Sequence, residues 1–133
     1  MSEHDFRGKV VIITGAGSGI GRALAQQFAA TGARLALSDV NEAGLAETLT
    51  LLPAAAEARG YKLDVSSRDA VFAHADEVKR DFGAAHVLIN NAGVFLAKRQ
   101  ITKENIEMTW AINYVAPYIL TYELLPLLKQ AAS

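Results

Sequence analysis

The chain contains no cysteine, which excludes a disulfide framework, thiol catalysis and thiolate metal sites. It also has little net charge. Thirteen Lys and Arg stand against fourteen Asp and Glu, a formal balance of −1, and the basic residues are scattered, so nothing resembles the positive footprint of a nucleic-acid binder. Histidine is sparse: His4, His74 and His86 are widely spaced and show no ligand pattern, which predicts no metal site and leaves one surface histidine in a tail and two structural ones. The amino terminus, MSEHDFRGK, lacks the apolar run of a secretory signal. The most apolar late stretch, Trp110 to Leu128, is interrupted by Asn113, Pro117, Tyr118 and Glu123, and reads as a buried helix rather than a membrane span. These absences predict a soluble cytoplasmic protein with no membrane partner. No internal repeat, linker or low-complexity segment divides the chain.

What is present suffices for one core. At 133 residues, 51% of them hydrophobic, the chain has the size of a single domain. Apolar runs of strand length alternate with longer helical patterns, the signature of βαβ units and a parallel sheet covered on both faces. The strands are predicted at Val10 to Thr14, Arg34 to Ser38, about Ala58 to Leu63, and His86 to Asn90. Between them, helical spacing predicts a helix from about Ile20 to Thr31 stopped by Gly32. A second runs from about Glu42 to Leu52, with Asn41 as its cap and Pro53 beyond its end. A third carries Val71, Phe72, Ala75, Val78 and Phe82 and ends at Gly83, with Ser66 and Asp69 resembling a capping box. From Thr102 onward the pattern is helical for nearly thirty residues, apolar on most sides, and Pro117 is expected to kink or divide it. The predicted fold is therefore α/β, a doubly wound parallel sheet of Rossmann-like type comprising its first four strands and flanking helices.

The stretch VVIITGAGSGIGRALA, Val10 to Ala25, joins the first strand to the first helix through a glycine-rich loop. At the carboxyl end of a parallel strand, glycines allow a tight turn and let a phosphate approach the amides of the following helix, here between Thr14 and Ile20. No lysine followed by serine or threonine closes the loop, so it is not a Walker loop. Nor does the spacing of Gly15, Gly17, Gly19 and Gly21 fit GxGxxG. It is TGxxxGxG, carried by Thr14, Gly15, Gly19 and Gly21, and with these residues the chain resembles the short-chain dehydrogenase/reductase family, in its single-domain branch. Asp39, at the end of the second strand, stands close to where such a fold places a carboxylate against the adenosine ribose hydroxyls; capping of the next helix is its other reading. A 2′-phosphate there would be repelled, and Ser18 is not the basic residue of NADP-preferring members, so NAD is favoured over NADP.

Other strand ends carry further motifs. In LDVSS, the resemblance implies that Asp64 and Val65 contact the adenine, although a plain helix-leading acid is also possible at Asp64. In NNAG, it implies that Asn90, Asn91, Ala92 and Gly93 fasten the sheet and face the nicotinamide ribose. The resemblance also implies hydride transfer between nicotinamide and an alcohol or carbonyl substrate, with catalytic Ser, Tyr and Lys, and an Asn that holds a water in a proton relay. Only the last is visible, as Asn113 in WAINYVAP; a structural role at a helix bend is its alternative. No YxxxK occurs among the tyrosines, so the chain is expected to be the cofactor half of such an enzyme, truncated before its catalytic segment and inactive alone. A non-catalytic dinucleotide-binding module or remnant is the competing reading, and an epimerase or dehydratase of the extended branch is weaker because its glycine spacing differs. Lys98 and Arg99 read as solvated. The fourth strand would lack one neighbour, an apolar edge that predicts self-association and a homo-oligomer.

Overall fold

The computed structural model describes residues 5–132, so the tail histidine His4 lies outside the described residues. Strand β1 (Val10–Thr14) is buried along its whole length. Such a run fits the middle of a parallel sheet, where both faces are covered, and β1 takes that place. It pairs in parallel with β2 (Arg34–Asp39) on one side and β4 (Val87–Ile89) on the other, while β3 (Glu57–Lys62) extends the sheet beyond β2, giving the order β3-β2-β1-β4. Strand order thus reverses between β1 and β4.

Side chains alternate across the sheet. Val11, Ile13, Leu35 and Leu37 pack on one face under α1 (Gly19–Ala30) and α2 (Glu42–Thr50), joined by Ala25, Ala29 and Leu45. Val10, Ile12 and Ala36 pack on the other, under α3 (Arg68–Phe82) and the carboxyl-terminal helix, which contribute Val71, Ala75, Val78, Leu120 and Leu124. The doubly wound sheet expected from the alternation is present. His86 brackets the start of β4: its amide donates to the Val10 carbonyl and its Nδ1 accepts from the Val10 amide, both at 2.9 Å. His74 is buried in the second layer, edge-on to Tyr61 with ring centroids 5.1 Å apart. His86 thus ties β4 to β1 through the backbone, and His74 packs in the core.

Two local expectations are corrected. The cap of α3 is Ser67, whose hydroxyl accepts from the Ala70 amide at 3.3 Å. Ser66 is unavailable because Asp64 Oδ1 accepts from its amide (2.9 Å) and its hydroxyl (2.6 Å), drawing it into the preceding turn. The late helix starts at Met108 rather than Thr102. Residues 102–107 form a turn in which the Thr102 amide donates to the Ile106 carbonyl (2.8 Å), Asn105 takes a left-handed φ of 64°, and Glu107 accepts from the Thr109 and Trp110 amides as a cap. Side-chain bonds to the backbone outcompete the helix there. From Met108 the helix runs as α4 (Met108–Trp110), a wider π turn (Ala111–Val115) and α5 (Ala116–Ala132). Pro117 stands just after this division, as expected: it has no amide to donate and crowds the preceding turn, where the Ala116 amide donates to the Ala111 carbonyl. No described helix is long and apolar enough to cross a membrane.

Candidate functional site

The carboxyl ends of the four strands open on one cleft of about 390 Å³. Its place, where the strand order reverses, is where open α/β sheets bind ligands. The loop between β1 and α1 forms one wall. Thr14, itself buried, ties this wall to the opposite one: its Oγ1 accepts from the Asn91 amide at 3.1 Å and from the Ala92 amide at 3.0 Å. The Asn91 side chain returns the bond, donating to the Gly15 carbonyl at 3.2 Å. Helix α1 is drawn in close beneath, and a Cβ at Gly21 would lie 2.2 Å from the Gly15 carbonyl oxygen, so only glycine permits that approach.

The amino terminus of α1 is open to an anion. Ser18 takes the cap position in extended conformation without a side-chain cap bond, and no acidic residue lies in the first turn. Gly19, at φ 54°, has nothing within 4 Å of where a Cβ would stand, so a phosphate could reach the backbone directly. Unsatisfied helix amides with positive partial charge and free space beside them fit the pyrophosphate of a dinucleotide.

Asp39 terminates β2 at the far side of this loop. Its Oδ2 accepts from the Gly17 amide at 2.8 Å and its Oδ1 from the Asn41 amide at 2.9 Å. It does not cap α2; Asn41 does, accepting from the Gly44 amide at 3.1 Å. The carboxylate is therefore oriented by the loop and lines the cleft. Asp64 and Val65 line it beyond β3, with one oxygen of Asp64 engaged by Ser66.

Of the residues singled out in the sequence, Gly15, Ser18, Gly19, Ile20, Asp39, Asp64, Val65, Asn91, Ala92 and Gly93 line the cleft together. Thr14, Gly17 and Gly21 stand behind it as supports. Asn90 turns away, its side chain donating to Thr121 Oγ1 on α5 at 3.2 Å. Asn113, in the π turn, spends both halves of its amide on the loop after β4: Oδ1 accepts from the Val94 amide (2.9 Å) and Nδ2 donates to the Val94 carbonyl (2.7 Å). That bond pair joins the helix to the loop instead of relieving a helix bend. The cleft also includes Ser38, Val40, Leu63, Val94 and Ile112, which sequence reasoning missed. Val40, 58% exposed, gave a signal: it is an apolar residue in the polar turn after β2, at the border of the cleft.

The family assignment rests on this frame and on the sequence together. The short chain dehydrogenase family matches residues 9–133. The chain belongs to that family. Human epidermal retinol dehydrogenase 2 is 40% identical over 120 residues, covering 87% of this chain and 38% of the relative. A short-chain dehydrogenase/reductase from Burkholderia phymatum, solved in complex with NAD, superposes with a TM-score of 0.79 at 38% identity, over 97% of this chain and 47% of that one. L-sorbose reductase from Gluconobacter frateurii, complexed with NADPH and L-sorbose, superposes with a TM-score of 0.85 at 29% identity, over 97% of this chain and 51% of that one. Short-chain dehydrogenases of this fold thus hold either nicotinamide dinucleotide. The chain spans 33% to 42% of the length of the curated relatives it matches.

Proposed function

We propose that this chain is the cofactor-binding portion of an NAD-dependent oxidoreductase that transfers hydride between nicotinamide and an alcohol or carbonyl compound. The observation that supports it best is the pairing, across one cleft, of an uncapped helix terminus with a loop-oriented carboxylate at Asp39. In this reading the amides from Ser18 to Ile20 hold the two phosphates, Asp39 accepts from the adenosine ribose hydroxyls, and Asp64 with Val65 borders the adenine. Asn91, Ala92 and Gly93 form the floor beside the nicotinamide ribose, and Asn113 fixes that floor through Val94. When bound, the nicotinamide ring supplies the hydride chemistry. A 2′-phosphate would meet the Asp39 carboxylate, which is why NAD is preferred to NADP.

The test is a fluorescence titration with NADH and NADPH. We expect NADH to bind at least tenfold tighter, about 1.4 kcal/mol. Binding of neither nucleotide would overturn the reading, and tighter NADPH binding would overturn the preference. A second reading, a dinucleotide-binding module without catalysis, is favoured by the engagement of both Asn113 amide atoms with Val94. Thermal stabilisation by NAD, with no turnover of any ketone by the chain extended to the length of its relatives, would select it.

A further inference from the structure

Behind the cleft, two side chains hold the glycine loop from the side opposite the strands. Arg22, on the first turns of α1, donates through Nη2 to the Gly17 carbonyl at 2.7 Å and the Gly44 carbonyl at 3.1 Å, and through Nε to Thr48 Oγ1 at 3.0 Å. It also pairs with Glu47 at 3.3 Å. Thr48, on α2 and fully buried, donates its own hydroxyl to the Ala16 carbonyl at 2.7 Å. The other ends of the same loop residues are held by β2: the Ala16 amide donates to the Ser38 carbonyl at 2.9 Å, and the Gly17 amide to Asp39 Oδ2 at 2.8 Å. Ala16 and Gly17 therefore have both their amide and their carbonyl fixed.

We infer that Arg22 and Thr48 are positioning residues for the adenosine and pyrophosphate half of the dinucleotide, an inference that rests on the function proposed above. The direction of the amides that follow, Ser18 to Ile20, is set by the orientation of the two peptides before them. Gly17 is held between Arg22 and Asp39, so the same latch also aims the carboxylate that takes the ribose. Glycine loops are conformationally permissive, and without the latch the loop samples states in which its amides diverge. Binding then loses affinity in proportion to the fraction of loops out of place.

The experiment compares the unaltered chain with Thr48→Val, Arg22→Lys and Arg22→Met, measuring affinity for NADH and for ADP-ribose well below the melting temperature, and the melting temperature separately. We expect Thr48→Val and Arg22→Met to weaken both ligands alike, by about tenfold, the loss typical of one or two buried hydrogen bonds. Arg22→Lys, which keeps the charge and can reach one carbonyl, should fall between. Nicotinamide riboside, lacking the adenosine and both phosphates, should bind all four chains equally. A lower melting temperature with unchanged affinity would make the pair a mere staple between α1 and α2 and overturn the inference. If Arg22→Met fails to fold, the nearly isosteric Thr48→Val decides. Failure of the unaltered chain to bind NADH or ADP-ribose would overturn the proposed function, and this inference with it.

Discussion

Burial sets the protonation of His74. The residue is 1% exposed, neither ring nitrogen has a hydrogen-bond partner, and burial pulls its pKa from 6.5 to about 4. The folded state thus binds the proton more weakly than the unfolded chain, so the contribution is complete above about pH 6.5 and is lost as the pH falls toward 4. Over that window it amounts to roughly 3 kcal/mol. We expect the melting temperature to drop between these limits and the drop to flatten in His74→Leu, read by calorimetry across pH. Asp81, whose carboxyl Arg80 and the Tyr61 hydroxyl hold down from 3.8 to about 2, loses its contribution below that window. In the cleft, Asp39→Ala should weaken NADH by about tenfold while narrowing the gap to NADPH, in the same titration that tests the proposed function. Asp39 was legible in the sequence from its distance beyond the glycines. Arg22 and Thr48 were not, because their partners are backbone carbonyls, which leave no trace in a pattern of side chains.

Elements were legible where burial alone decides them. A run such as VVIIT can only be central, and the spacing of Val71, Ala75 and Val78 already shows the face that α3 buries. The segment 102–107 was not legible, since its apolar spacing suits a helix while Thr102 and Glu107 bond the backbone into a turn and a cap. Periodicity is blind to such bonds. The same reasoning separates two substitutions in helices. Gly21→Ala sets a methyl group 2.2 Å from the Gly15 oxygen and forces α1 away from the loop, so it should cost roughly 1–3 kcal/mol and abolish NADH binding together. Leu124→Ala, fully buried between α5 and the sheet, should cost roughly 2–5 kcal/mol in denaturant unfolding yet leave the affinity of the folded fraction unchanged.

At the scale of the whole molecule, two of the uncovered surfaces bear on association. Strand β4 pairs only with β1, and α5 presents Tyr118 and Tyr122, stacked at 6.3 Å and 62% and 64% exposed, next to Leu125. Apolar faces and open strand edges of this kind associate. We propose that the 133-residue chain self-associates, with light scattering giving a mass above that of the monomer and Tyr118→Glu with Leu125→Glu lowering it; a monodisperse monomer would overturn this. The strand order has a further consequence in time. Val10 and His86, bonded across β1 and β4, are 76 residues apart along the chain. At roughly 5–20 residues per second, a ribosome needs about 4–15 s to deliver the second after the first. Throughout that interval the central strand has one bare side, and slow codons ahead of Val87 would lengthen the period in which neighbouring nascent chains can capture it.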